Sequence, residues 1–165
     1  HSLDRRQRQM CIRDRLEHPK YELVISGDGP LKQDVLRIIS QRPDCSFTYY
    51  ENLDSIELAK ILPNCGLLCV PSDYESFGLV YIESLCMGVP IIGFDESVKF
   101  INSCLELQTG VQVNSTIKEA IAVGIDKLEN NFWDTSELSR KARIFFNPYR
   151  HAKELADVFH RLGHN

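Results

Sequence analysis

Leu67 to Phe94 reads LLCVPSDYESFGLVYIESLCMGVPIIGF, and within it the stretch Glu75-Ser-Phe-Gly-Leu-Val-Tyr-Ile-Glu83 carries two glutamates where an apolar strand gives way to a helix. Leu67 to Val70 is a short apolar run of the kind that a strand covered on both faces shows, and Pro71-Ser72-Asp73-Tyr74 ends it. From Gly78 onward Leu79, Ile82, Leu85 and Cys86 recur at three- and four-residue steps, which predicts a helix of about three turns. Gly88 supplies a left-handed cap and Pro90 a stop. Val89 to Phe94 (VPIIGF) reads as the next buried strand. The unit is therefore strand, loop, helix, strand, of the crossover type that joins parallel strands.

The rest of the chain keeps the same alternation. Pro30 to Gln41 places Leu31, Val35, Ile38 and Ile39 on one face of a helix with proline near its start. Cys45 to Tyr50 (CSFTYY) alternates as a strand. Asp54 with Glu57 forms a capping-box signature for a helix reaching Leu62. Ser97 to Leu105 reads as a further helix, and Ser115 to Asn130 as one with Ile117, Ile121, Ile125 and Leu128 inward. Asp134 with Glu137 caps the next. Tyr149 to Leu162 closes the chain with Ala152, Leu155, Ala156 and Phe159 facing in. The expected fold class is α/β, a parallel sheet with helices on both faces.

Composition agrees with one domain of that class: 165 residues, 43% apolar, nine glycines and seven prolines. There is no run of eighteen apolar residues and no signal peptide. The first fifteen residues, HSLDRRQRQMCIRDR, lack apolar periodicity and are set aside as an artefactual or disordered leader, leaving 16–165 as the domain. They hold five arginines and two aspartates, so the net charge of −4 for the whole chain becomes −7 from Leu16 onward. An acidic domain has no basic nucleic-acid footprint. Of the six cysteines, Cys11 lies in the leader, Cys69 and Cys86 sit in apolar runs, and Cys65 with Cys69 has the wrong spacing for a zinc knuckle. They read as reduced core thiols of a cytoplasmic protein. The histidines, His1, His18, His151, His160 and His164, form no ligand set.

In crossover units of this kind ligands gather at the carboxyl ends of the strands, where a helix amino terminus offers unpaired N–H groups and a partial positive charge. Gly78 carries no side chain, so a diphosphate is expected to come close to the backbone at Phe77, Gly78 and Leu79. A carboxylate beside a diphosphate is repelled by it, so the two glutamates should face hydroxyls. Glu75, ahead of the helix, is placed to accept hydrogen bonds from a sugar, and Glu83, over one turn in, from a ribose diol. The competing reading makes Glu83 an ordinary solvated helix residue. Asp73-Tyr74-Glu75 has the form of a divalent-metal clamp. Because a helix start follows at once and takes phosphates unaided, the expectation is a site without metal or other cofactor.

The segment PSDYESFGLVYIESLCMGVPIIGF resembles the donor-binding segment of retaining glycosyltransferases of family 4, which have the GT-B fold of two facing Rossmann-like domains. Two more segments are similar to that family in the same order. Tyr21 to Pro30 (YELVISGDGP) looks like its strand ending in a Gly-Asp-Gly-Pro turn, and Thr109 to Val113 (TGVQV) resembles its short strand after a Thr-Gly turn. The resemblance runs from about Tyr21 to Asn130. It implies that this chain is the Rossmann-like, donor-binding half of such an enzyme. Glu75 would then be the catalytic group that contacts the donor sugar. The backbone at Phe77, Gly78 and Leu79 would hold sugar and phosphate, Glu83 would bind ribose, and Gly27 and Gly29 would let backbone approach the diphosphate. Asn52 to Leu58 would form the wall beside the base.

The sequence departs from the family in three places. Nothing before Glu17 resembles the family's earlier strand and loop with its arginine and lysine, and the acceptor-binding amino-terminal domain is missing. After VPIIGF, a usual glycine pair and glutamate are replaced by Phe94-Asp95-Glu96-Ser97-Val98. The implied function is transfer of a hexosyl group with retention, from a UDP- or GDP-sugar to a sugar or lipid-linked acceptor. The setting implied is surface polysaccharide or glycolipid assembly, with room for peripheral contact at the inner membrane face. Two other readings stay open: a sugar-nucleotide epimerase of the same two-domain architecture, and a non-catalytic nucleotide-binding module.

Overall fold

The computed structural model describes residues 21–41, 46–70, 78–94, 96–113, 117–150, 152, 153, 157 and 160. Along them strands and helices alternate: β1 (Leu23–Ser26), α1 (Lys32–Ser40), β2 (Phe47–Tyr50), α2 (Ser55–Ile61), β3 (Leu68–Val70), α3 (Leu79–Cys86), β4 (Ile91–Gly93), α4 (Ser97–Leu105), β5 (Gly110–Gln112), α5 (Ile117–Glu129) and α6 (Thr135–Phe145). Each pairing is parallel, β1 with β2 and β3 with β4 with β5. The α/β class is therefore as expected. A single sheet is not what the described strands form, since their hydrogen bonds divide them two and three. Alternation along a chain fixes the parallel sense of its strands; it does not encode which strand becomes whose neighbour.

The core of the three-stranded sheet follows from the twofold alternation of side chains along a strand. Ile91 packs with Tyr81, Leu85, Val98, Ile101, Leu105 and Leu138. Its neighbour Ile92 points the other way, to Val113 and Ala120. Helices α3, α4 and α6 thus cover one face and α5 covers the other. Burying each such isoleucine or leucine stabilises the fold by about 1.5–3 kcal/mol relative to exposure. Helix α5 lies close to the sheet because of Gly124, where any added Cβ would overlap the side chains of Ile92 and Leu67.

Local chemistry explains most element boundaries. Asp54 accepts hydrogen bonds from the N–H groups of Ile56 at 2.9 Å and Glu57 at 2.8 Å, and Glu57 reaches back to the Asp54 N–H at 3.1 Å, which completes the capping box. Asp134 caps α6 through Ser136 and Glu137, both at 3.0 Å. Gly88 has φ +80°, the left-handed cap expected of it. Helix α3 is shorter than the apolar spacing suggested, with 8 residues. Gly78 is its N-cap, and the turn at Met87 and Gly88 closes it. Of the inward residues expected on α5, Ile125 is buried and Leu128 half-buried, while the side chains of Ile117 and Ile121 lie outside the described set. The closing helix falls mostly outside it as well. Ala152, expected to face in, is exposed, since apolar spacing names a face and not what covers it.

Helix α6 ties the ends of two other helices. Ser139 Oγ at 2.7 Å and Arg143 Nε at 2.8 Å both donate to the Cys86 carbonyl at the end of α3. Lys141 Nζ donates to the carbonyls of Leu105 at 2.9 Å and Glu106 at 3.1 Å, at the end of α4. A cation there satisfies orphan carbonyls and meets the negative end of the helix dipole. Lys141→Met should therefore lower the unfolding free energy by about 1 kcal/mol, read as a shift of the urea midpoint at unchanged slope. An unmoved midpoint would mean that these two contacts hold nothing together.

Cys65, Cys69, Cys86 and Cys104 are free thiols. Burial pushes the thiol of Cys69, which packs against the core, up to about 12, so it stays protonated and unreactive.

Candidate functional site

Two of the expected site residues, Glu75 and Phe77, lie outside the described residues, as does the Asp73-Tyr74-Glu75 segment. Gly78, Leu79 and Glu83 are on or beside α3, and Gly27 and Gly29 follow β1 directly.

Gly78 stands at the N-cap of α3 with φ +62° and ψ +51°, and as a glycine it carries no capping side chain. Its glycine is required for a reason internal to the fold. The backbone is left-handed, and a Cβ would collide with the ring of Tyr81, one turn ahead. Tyr81 is fully buried, and its ring end also fills the place that a Cβ on Gly93 would need. From the sequence, the missing side chain is expected to admit an approaching ligand. The described structure gives that space to the tyrosine, and Gly78 itself is buried. Leu79, the first helical residue, is 66% exposed.

Glu83 is half-buried, and its Oε1 accepts a hydrogen bond from Ser55 Oγ at 3.0 Å. Ser55 is the first residue of α2 and belongs to the Asn52 to Leu58 segment implied to flank a base. The two segments are thus in contact. Nothing in sequence spacing announces this pair, which are 28 residues apart; the only signal was that both fell in segments of the same resemblance.

The turn after β1 has the backbone its glycines suggested. Gly27 has φ +151° and Gly29 φ +157°, values that side-chain-bearing residues rarely adopt, and among the described residues nothing lies within 4 Å of where a Cβ would stand on either. The turn is pinned from β2, by Tyr49 Oη donating to the Gly27 carbonyl and by the Gly27 N–H donating to Tyr50 at 3.1 Å. Lys32, at the start of α1, bridges to Glu51 at 2.7 Å and to Asp28 at 3.9 Å. The Glu51 hydrogen bond above all holds the Lys32 ammonium above its usual range, so the group stays charged.

A second cluster supports β5. Asn102 Oδ1 on α4 accepts from the N–H of Thr109 at 2.7 Å, its hydroxyl at 2.6 Å and the N–H of Gly110 at 3.2 Å, while Asn102 Nδ2 donates to the Gly110 carbonyl at 3.1 Å. Thr109 is fully buried. The clamp explains the Thr-Gly pair ahead of the strand. Gly110 is also needed sterically, since a Cβ would enter the Ile91 carbonyl of the neighbouring strand. Among the described residues no group of three or more His, Cys, Asp or Glu is placed to hold a metal ion, and no helix is long and apolar enough to cross a membrane.

The family model of the group 1 glycosyl transferases matches residues 7–145 of this chain, and the chain belongs to that family. Among curated proteins it is 26% identical over 120 residues to an uncharacterised glycosyltransferase of Methanocaldococcus jannaschii, covering 68% of this chain and 29% of that protein. It is 30% identical over 136 residues to a glycogen synthase of Mycobacterium tuberculosis, covering 78% of this chain and 30% of the synthase. The chain therefore spans less than a third of either relative. Of the solved structures, the pneumococcal O-GlcNAc transferase GtfA in complex with UDP and GlcNAc superposes with a TM-score of 0.67 at 24% identity, over 92% of this chain and 32% of that one. That likeness is one of fold, and the fold is that of a GT-B carboxyl-terminal domain.

Proposed function

We propose that this chain is the donor-binding half of a retaining hexosyltransferase that uses a nucleoside-diphosphate sugar, without a metal ion. The observation that carries the reading is the contact of Ser55 with Glu83, which sets a carboxylate one turn into α3 against the start of α2. The ribose hydroxyls would be held by Glu83. The diphosphate would lie toward the start of α3 at Gly78 and Leu79, where N–H groups without intrahelical partners and the helix dipole favour an anion. The glycine-lined turn at Gly27 and Gly29 suits backbone approach to the same group. The complex of a fold relative with UDP makes a uridine nucleotide the first donor to test.

In this proposal Glu75 orients the sugar. The bond from the anomeric carbon to the diphosphate oxygen breaks, and a bond from that carbon to the acceptor oxygen forms on the same face. The acceptor proton passes to the departing phosphate oxygen, so no separate general base is required. Stabilisation of the leaving group by main-chain N–H groups would supply most of the acceleration.

The test is Glu75→Gln in the full-length protein, assayed for hexosyl transfer from UDP-hexoses. Transfer should fall roughly tenfold or more, while UDP affinity stays within about twofold. Glu83→Gln should show the reverse pattern, a loss chiefly in nucleotide binding. Transfer at the wild-type rate in Glu75→Gln would remove the catalytic assignment. Turnover of the sugar nucleotide without any acceptor would favour the epimerase.

A further inference from the structure

Resting on the assignment of Glu83 to the ribose, we propose that Ser55 is the positioning residue of the donor site. It sets the rotamer of the Glu83 carboxylate and thereby the discrimination for a ribose diol. Glutamate on a helix surface has three side-chain torsions to order, and holding one oxygen removes much of that freedom before a ligand arrives. Ser55 Oγ does this from outside α3, at 3.0 Å from Oε1. The second oxygen, Oε2, and the remaining lone pair of Oε1 are left for the diol. Ser55 is itself held in place: it follows Asp54, whose carboxylate is committed to the N–H groups of Ile56 and Glu57, so the first turn of α2 is rigid where the hydroxyl leaves it. The same residue joins the segment expected to face the base to the residue expected to face the ribose. Nucleoside recognition would thus depend on α2 and α3 being in register across a single hydroxyl.

The carboxylate also has a hydrogen-bond donor in the free protein. Glu83 is half-buried and its contact with Ser55 is exposed, so the hydrogen bond orders the carboxylate and adds little to stability. Ser55 supplies that bond without adding positive charge. A lysine at this place would pair with Glu83 and compete with a neutral diol; a hydroxyl donates one proton and leaves the carboxylate's charge to attract the ligand.

The experiment uses the full-length protein and calorimetric titration with UDP and with 2′-deoxy-UDP, which lacks one hydroxyl of the diol. Ser55→Ala should weaken UDP roughly three- to tenfold and 2′-deoxy-UDP by less than about twofold, so that the preference for the ribonucleotide collapses. Ser55→Thr, which keeps the hydroxyl, should restore most of it. The Asp54 cap is untouched in either variant, so the urea midpoint should hold. Equal loss for both nucleotides, or none for either, would overturn the positioning role while Glu83→Gln still weakened UDP. If Glu83→Gln left UDP binding unchanged, the ribose assignment and the role of Ser55 would fall together.

Discussion

Gly78→Ala is expected to lower the unfolding free energy by about 2–4 kcal/mol and to abolish measurable nucleotide binding. Two independent penalties act at this position. The left-handed backbone at φ +62° is one that an alanine enters only at a cost of about 1–2 kcal/mol. The new methyl group would also meet the buried ring of Tyr81, which has no room to retreat because the ring end already abuts Gly93 and Val98 is packed against the same glycine. The helix start would have to move, and with it the N–H groups proposed to hold the diphosphate. Pairing Gly78→Ala with Tyr81→Leu separates the two penalties. The double variant should recover part of the steric loss and none of the backbone strain. Additive losses in urea unfolding would mean that ring and glycine are not coupled, contrary to the packing described.

Asn102→Ala is the second large effect, about 2–4 kcal/mol, and its site is remote from any proposed ligand contact. One side chain accepts three hydrogen bonds and donates a fourth around Thr109 and Gly110, and Thr109 is inaccessible to water. Removing the amide strands the buried hydroxyl and N–H, which costs more than the net value of the bonds themselves. Asn102→Asp keeps the acceptor but sets a carboxylate oxygen against the Gly110 carbonyl, which Gln108 Nε2 still serves, so it should fall between wild type and alanine. Denaturant midpoints for the three proteins check the order. An alanine variant as stable as wild type would show that the Thr-Gly turn needs no clamp.

Much of this was legible in the sequence, where a single local rule decides. The capping box at Asp54 and Glu57, the left-handed Gly88 and the buried pair in VPIIGF each follow from residues within a few positions of one another. What escaped were contacts made across elements. Tyr81 stands outside the recurring set Leu79, Ile82, Leu85 and Cys86, whereas its ring dictates two glycines, at Gly78 and Gly93. Asn102 lay in a weakly patterned helix because its function is hydrogen bonding and not apolar packing. Trp133 is buried in the core from the connection between α5 and α6, where no periodicity marks it. The backbone of the glycine turn after β1 and the place of Glu83 on α3 were foreseeable from motif spacing. The hydroxyl that holds Glu83 was not, because a hydrogen bond over 28 residues has no sequence signature.

The most direct test of the donor-site reading is a crystal structure of the full-length protein with UDP bound. The ribose hydroxyls should lie within hydrogen-bond distance of the Glu83 carboxylate, still held by Ser55, with the diphosphate against the main chain at Gly78 and Leu79. A nucleotide bound with its ribose gripped by other residues, and Glu83 facing bulk solvent, would contradict it.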